Sequence, residues 1–235
     1  MITAVQCTGA DFCEEISGAA DTSFSRFYEG DPPSRRVHST ENFELLADLS
    51  PLTDGHLLLL PKQHYLSFAQ VLTVHQREAV ELIGRVAELY REAFREPLFL
   101  EHGSSRGEVS HACITHAHLH LLPVSPAAVD RIMIGDGLAY RDLGSLAELS
   151  LPPWPNSAYF LRLHEQGCRV YLPTTQRRQY LRAVVGATLS IEDPEWDYAV
   201  VMRKEVLRST MREVRSWSAR LAGVHSRAED RRHAY

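Results

Sequence analysis

The stretch ITHAHLHLLPV, residues 114–124, sets His116, His118 and His120 at every second position of an otherwise apolar run. In an extended strand successive side chains point to opposite faces, so all three imidazoles are expected on one side and Ala117, Leu119 and Leu121 on the other. Imidazole is costly to bury without partners, and its unperturbed pKa near 6.5 suits proton transfer, metal ligation or nucleophilic attack. Three readings compete for such a row. Solvent-facing histidines on an edge strand fit poorly with the apolar residues on both sides, which argue for a covered strand. A zinc site would need a fourth ligand or an open catalytic position. Chemistry at a phosphate is the third, and the upstream sequence favours it.

The segment FELLADLSPLTDGHLLLLPKQH, residues 43–64, is followed by EHG at 101–103 and HAHLHLLP at 116–123. In this order the segments resemble the histidine triad family of nucleotide hydrolases and transferases. The first family signature is a strand, an acidic residue, a Ser-Pro turn, Gly-His, an apolar strand and Pro-Lys-x-His. It is matched by Asp48, Ser50-Pro51, Gly55-His56, Leu57 to Leu60 and Pro61-Lys62-Gln63-His64. The second, His-x-His-x-His with two apolar residues and Pro, is matched by His116, His118, His120, Leu121, Leu122 and Pro123. The resemblance covers about the first 125 residues and implies an antiparallel sheet with a helix packed on one face.

Cleavage at a nucleotide α-phosphorus needs a nucleophile, groups that neutralise the phosphoryl oxygens, and a proton for the leaving group. The resemblance makes His118 the nucleophile, through a transient nucleotidyl-histidine. His120 then contacts the phosphoryl oxygens or the bridging atom, and His116 and His56 hold the site and its charge in place. Asp48 is implied as the group that accepts hydrogen bonds from the ribose 2′- and 3′-hydroxyls, since a carboxylate can accept two at once. An Asp that merely ends a strand before the Ser50-Pro51 turn is the plainer alternative. Leu46 and Leu49 are candidates for contact with the base and equally ordinary core residues. No metal ion or other cofactor is expected, because imidazoles can donate to a phosphate directly.

Departures from the family pattern bear on the leaving group. Many members carry Gly-Gln-Ser or Gly-Gln-Thr just before the triad, where this chain reads His111-Ala112-Cys113. A methyl group replaces the amide, and the thiol of Cys113 is a weaker donor than a hydroxyl. Ser104, Ser105, Arg106 or His111, in a lengthened loop, are candidates for the missing substrate contacts. The EHG at 101–103 stands where many members have an Asn-containing turn. Some bacterial members also bind a structural zinc through a Cys-x-x-Cys pair and histidines. Here Cys7 and Cys13 are too widely spaced, with Ala10 where the first cysteine of such a pair would fall, so loss of the zinc site is expected.

Residues 42–48 and 55–61 read as strands joined by the Ser-Pro-Leu-Thr-Asp-Gly turn. Thr73 and Gln76 form a capping-box pattern that predicts a helix from there to about residue 95, and 97–102 reads as a strand. Beyond Pro126 the resemblance thins. SAYFLRLHE and CRVYLPT look like two further strands, TTQRRQYLRAVVGATL like a helix, and 200–222 like a helical stretch before a tail without apolar period. Gln176, Arg177, Arg178, Tyr180 and Arg182 are candidates to reach the distal part of a substrate, although a solvated basic helix face is the plainer reading.

The chain is therefore expected to be α+β, with residues 1–125 as a HIT-like catalytic core and 126–235 as an α/β extension packing on or near the active site. Its 235 residues, 44% hydrophobic with a net charge of −5, suffice for a full core. That charge argues against a nucleic-acid partner, and no apolar run approaches the roughly 18 residues of a membrane span. Scattered cysteines and an opening without a signal peptide lead to the expectation of a cytoplasmic protein. The implied activity is hydrolysis of a dinucleoside polyphosphate or nucleotide conjugate to a nucleoside monophosphate. The alternatives are a nucleotidyltransferase or phosphorylase of the same family, or a nucleotide-binding protein without catalysis. The resemblance also implies a homodimer.

Overall fold

Alternation of large apolar residues with histidines or small polar groups builds a sheet with two different faces. In the computed structural model, which describes residues 11–105, 115–165, 167–173, 179–191 and 201–230, eight strands form one antiparallel sheet. In chain order they are β1 (Arg36–Ser39), β2 (Phe43–Ala47), β3 (Leu57–Pro61), β4 (Leu98–Gly103), β5 (Leu119–Leu122), β6 (Ala139–Leu143), β7 (Tyr159–His164) and β8 (Gly167–Leu172). Their order across the sheet is β1-β2-β3-β5-β4-β7-β8-β6. The chain is α+β, as the sequence predicts. Residues beyond 126 do not form a separate sheet: β7 pairs directly with β4, Leu100 opposite Arg162 and His102 opposite Phe160.

One face carries Phe43, Leu45, Leu57, Leu59, Leu119, Leu121 and Phe99 and packs under α3 (Phe68–Ala93). Full burial of each such leucine or phenylalanine contributes about 1.5–3 kcal/mol. The helix begins five residues earlier than Thr73, because Ser67 is its cap, its side chain accepting from the Gln70 N–H. Thr73 lies instead beside a kink at His75, whose backbone is non-helical, and its hydroxyl turns back to the Gln70 carbonyl. Two later helices, α6 (Lys204–Val214) and α7 (Trp217–Asp230), add Leu207, Val214, Trp217 and Leu221 to the same core. The helix α7 runs on to Asp230 through the stretch that the sequence reads as a tail without period.

The opposite face is covered in two places with a gap between. At one end α1 (Asp11–Ile16) seats Phe12 on Leu46, Leu58 and Leu60. At the other, α4 (Pro126–Gly135) and α5 (Tyr180–Thr188) cover Leu98, Leu100, Leu122, Phe160 and Tyr171. The histidines open into the gap. The sequence reading missed α1, α2 (Ser23–Tyr28), α4, β1 and β6. Each is short, and β6 is exposed at four of its five positions, so no apolar period marks it.

Glu101, fully buried on the α3 face, fixes the start of that helix to the sheet. Its carboxyl oxygens accept from the Phe68 N–H at 2.6 Å and from Tyr159 Oη at 2.7 Å. Burial raises its pKa from 4.5 to about 8 against the pull of those two donors. The folded state therefore holds the proton more tightly than the unfolded chain. The resulting stability is fully present below about pH 4.5 and is lost as pH rises through about 8. Glu101→Gln, which mimics the protonated acid, is expected to gain stability relative to wild type as pH rises from about 5 to about 9. Urea midpoints measured across that range check this; parallel curves for the two proteins would contradict it.

Candidate active site

Where β2 ends, the chain turns between Asp48 and His56. Asp48 Oδ1 accepts from the Ser50 N–H at 2.8 Å, an Asx turn that anchors the carboxylate. The Asp48 N–H donates to the His56 carbonyl at 3.0 Å. Gly55 stands at φ +79°, where a side chain would be strained, and an added Cβ would lie 2.8 Å from Tyr90 Oη. Tyr90 Oη needs that space to donate to the Gly55 carbonyl at 2.7 Å. Local sequence thus fixes Asp48 and His56 on one short turn facing the histidine row.

The strand carrying that row is shorter than the sequence predicts. It begins at Leu119, and His116 to His118 approach it as irregular backbone. The alternation nonetheless survives, with Ala117, Leu119 and Leu121 in the core under α3. The hydrogen-bond partners assign the tautomers. His118 Nδ1–H donates to the His116 carbonyl at 2.8 Å, which leaves the lone pair on Nε2. The Leu52 N–H donates to His56 Nδ1 at 3.2 Å, so His56 carries its proton on Nε2 and gives it to His120 Nδ1 at 2.9 Å. His120 is then protonated on Nε2. His116 Nε2–H donates to the Pro61 carbonyl at 2.6 Å, so its lone pair is on Nδ1.

Burial holds these imidazoles neutral. It is the largest cause lowering His56 and His116 to about 4, and it lowers His118 and His120 as well, the latter assisted by repulsion from its neighbours His118 and His56. Asp48 goes the other way. Its burial alone would raise the carboxyl, but His56, Arg182, His120 and the Ser50 N–H outweigh that and hold it well below the usual carboxylate range. The site therefore offers a permanent anion at Asp48, a lone pair at His118 and an N–H donor at His120.

A cleft of about 850 Å³, partly open to solvent, is lined by His118, His120, Asp48 and Leu49 together with Phe12 and Arg182. His56 and His116 lie behind it, fully and almost fully buried. Leu46 does not reach the cleft, because Phe12 covers it and it belongs to the small cluster with Leu58 and Leu60. Ser104 does not reach it either, being buried where its N–H donates to the Leu66 carbonyl. Arg106, His111 and Cys113 lie outside the described residues, as do Gln176, Arg177 and Arg178. Sequence reasoning missed Phe12, whose ring meets His118 edge-on at 5.3 Å, and Arg35, which is buried in a bidentate pair with Glu15. It also assigned no role to His102, which lines the cleft from β4. The HG pair within EHG was the available signal, since strand parity puts His102 on the face opposite the buried Glu101.

A second cluster lies beside the triad. Cys13 Sγ is 3.3 Å from Nδ1 of His64 and 3.3 Å from Nδ1 of His116. Tetrahedral zinc would set sulfur and nitrogen ligands about 3.5 Å apart. The hydrogen bond from His116 Nε2–H to the Pro61 carbonyl already turns the His116 lone pair on Nδ1 toward this point. Among the described residues, three ligands are thus placed to hold a zinc ion, one short of a closed tetrahedral site, at a place that cysteine spacing did not point to. The expectation of a lost zinc site compared Cys7 with Cys13, whereas the fold joins Cys13 to two histidines distant in sequence; Cys7 lies outside the described residues. Bound there, zinc would fix His116 and α1 structurally. Asp48, His56 and His120 are also close together, but the His56 proton shared with His120 makes them a hydrogen-bonded chain. Metal-free protein is expected to take up about one zinc per chain, and Cys13→Ser to bind it roughly tenfold to a hundredfold more weakly. Titration against a zinc indicator measures this; equal affinities would contradict it.

A family model described as the HIT domain matches residues 29–127. The Protein hit of Bacillus subtilis is 28% identical over 105 residues, 45% of this chain and 72% of that protein. The adenosine 5′-monophosphoramidase HNT1 of Saccharomyces cerevisiae is 23% identical over 100 residues, 43% of this chain and 60% of that protein. Among solved structures, a histidine triad nucleotide-binding protein of Sulfolobus tokodaii is 24% identical, covering 50% of this chain and 68% of its own with a TM-score of 0.36. That family match spans the segment that carries Asp48, His56 and the three alternating histidines, so residues 29–127 form a HIT domain.

Proposed function

We propose that this protein hydrolyses a nucleotide conjugate at its α-phosphorus and releases a nucleoside monophosphate. The observation that carries the reading is the His118 tautomer. Its Nδ1–H is committed to the His116 carbonyl, so the Nε2 lone pair is presented beside His120 and Asp48 in one cleft. In the first step His118 Nε2 bonds to phosphorus while the bond from phosphorus to the leaving group breaks. The bound phosphate anion draws a proton onto His120, and the Nε2–H of that imidazolium supplies the proton that the departing atom needs, with Asp48 and His56 facing its other ring nitrogen. In the second step water attacks phosphorus, His120 recovers a proton from it, the P–N bond breaks, and neutral His118 returns. Asp48 accepts from the ribose hydroxyls and orients the nucleotide.

The leaving group is a polyphosphate-linked nucleotide or an amine, the latter supported by the phosphoramidase name of the yeast relative. Turnover of a panel of diadenosine and diguanosine polyphosphates, nucleoside phosphoramidates and nucleotide sugars, with and without chelator, tests this. Release of a nucleoside monophosphate from at least one class is expected. Binding of these compounds without any turnover would overturn the assignment as an enzyme.

A further inference from the structure

The turn that carries Asp48 is braced by residues far outside the HIT domain. Arg182 on α5 places Nη1 3.3 and 3.4 Å from the two carboxylate oxygens of Asp48, and its Nη2 donates to the Ser50 carbonyl at 2.5 Å. Ser50 Oγ donates to the Val201 carbonyl at 2.7 Å, Arg203 Nη1 donates to the Leu52 carbonyl at 3.1 Å, and Thr210 Oγ1 accepts from the Gly55 N–H at 2.9 Å. The helix that delivers Arg182 is itself fixed. Tyr180 donates to Asp136 at 2.8 Å and packs its ring on Phe160, while Leu181, Val184 and Val185 sit in the core over β4 and β7.

Asp48 needs such a brace. Its carboxylate is 6% exposed, and a buried anion without a cation is costly. His56, 3.5 Å away, helps to hold the carboxyl low, but burial keeps its ring neutral and its Nε2–H is engaged by His120, so it lends no full charge. Among the described residues, Arg182 carries the one permanent positive charge in contact with Asp48. Its contacts to the carboxylate are long enough to leave acceptor capacity on both oxygens, as two ribose hydroxyls require. The Ser50 carbonyl meanwhile fixes the guanidinium in place.

We propose that Arg182 is a positioning residue for Asp48, so that the region beyond residue 126 supplies part of the nucleotide site and selects ribonucleotides with both hydroxyls free. This rests on the ribose-binding role given to Asp48 above. The guanidinium holds the carboxylate ionised and aimed, and the substrate feels Arg182 through its ribose.

Calorimetric titration of the full chain with AMP and GMP, and with their 2′-deoxy and 3′-deoxy forms, tests the proposal. Wild type is expected to bind the ribonucleotide about tenfold or more tightly than either deoxy form. Arg182→Met is expected to lose roughly tenfold to a hundredfold in affinity for the ribonucleotide and far less for the deoxy forms, so that the preference collapses toward one. Arg182→Lys, which keeps the charge but not the fork, is expected to restore part of the preference. Should the Met variant not melt cooperatively, the Lys variant carries the test through a reduced but measurable preference. An unchanged preference in these variants overturns the proposal. Equal losses for ribo and deoxy forms also overturn it, by assigning the guanidinium to the phosphate. A wild type indifferent to the hydroxyls removes the role of Asp48 together with this one while leaving nucleotide binding intact. A wild type that binds neither AMP nor GMP removes the nucleotide reading itself.

Discussion

His118→Ala is expected to lower turnover by about a thousandfold or more while nucleotide binding changes by less than about tenfold. The reason is local. His118 makes a hydrogen bond to the carbonyl two residues before it and edge contacts with Phe12 and His120, so little of the fold depends on its ring. His120 and Asp48, the latter still braced by Arg182, remain in the variant to hold the nucleotide. What disappears is the imidazole lone pair that the hydrogen bond to the His116 carbonyl leaves on Nε2, facing the cleft. Steady-state kinetics on an active member of the panel, paired with calorimetry on the monophosphate product, separates the two effects. Loss of binding in step with loss of rate would show that His118 is a binding group and not the nucleophile.

His120→Asn is expected to reduce the rate by roughly a hundredfold to ten-thousandfold for a poor leaving group and by much less for a good one. Its Nε2–H is placed there by a relay. Leu52 N–H fixes His56, and His56 fixes His120, at 3.2 and 2.9 Å. An acid acts on the departing atom in proportion to that atom's need for a proton. Phosphoramidates with amines of graded basicity, or aryl esters of graded acidity, therefore yield a steeper dependence on leaving group in the variant than in wild type. A uniform loss across the series would assign His120 to binding the phosphoryl oxygens.

Much of this arrangement was legible before any coordinate. Residues 43–61 and the alternation at 116–122 carry strong local signals, namely continuous leucines, a Ser-Pro-x-x-x-Gly turn and a strict two-residue period. The strands and turn of 43–61 stand where those signals put them, whereas the histidine run is strand only from Leu119 to Leu122. The start of α3 was misread because Thr73 and Gln76 imitate a cap, while the operative cap, Ser67, is set by Glu101 from another strand. Tertiary partners decided that boundary. The joining of β7 to β4 had no local signature either, since register between strands some sixty residues apart is not written in either one alone.

The same division holds at the cleft. Asp48, His56 and the histidines were visible because they recur within short motifs. Phe12 was not assigned there, because its six-residue helix carries no apolar period, and Arg182 was offered for the distal part of a substrate and not for Asp48, which it reaches only through the fold. The cluster of Cys13, His64 and His116 was passed over for a related reason: spacing along the chain was compared for the cysteines alone.

The most direct test of the account is capture of the covalent intermediate. Wild-type protein mixed with an active conjugate, denatured within milliseconds at neutral to alkaline pH where a P–N bond survives, and digested for mass spectrometry is expected to yield the peptide containing His118 increased in mass by one nucleotidyl group. The adduct should be absent from His118→Ala and should accumulate when the second step is slowed. A nucleotidyl group found on another residue, or turnover with burst kinetics but no adduct on His118, would contradict the assignment of His118 as the nucleophile.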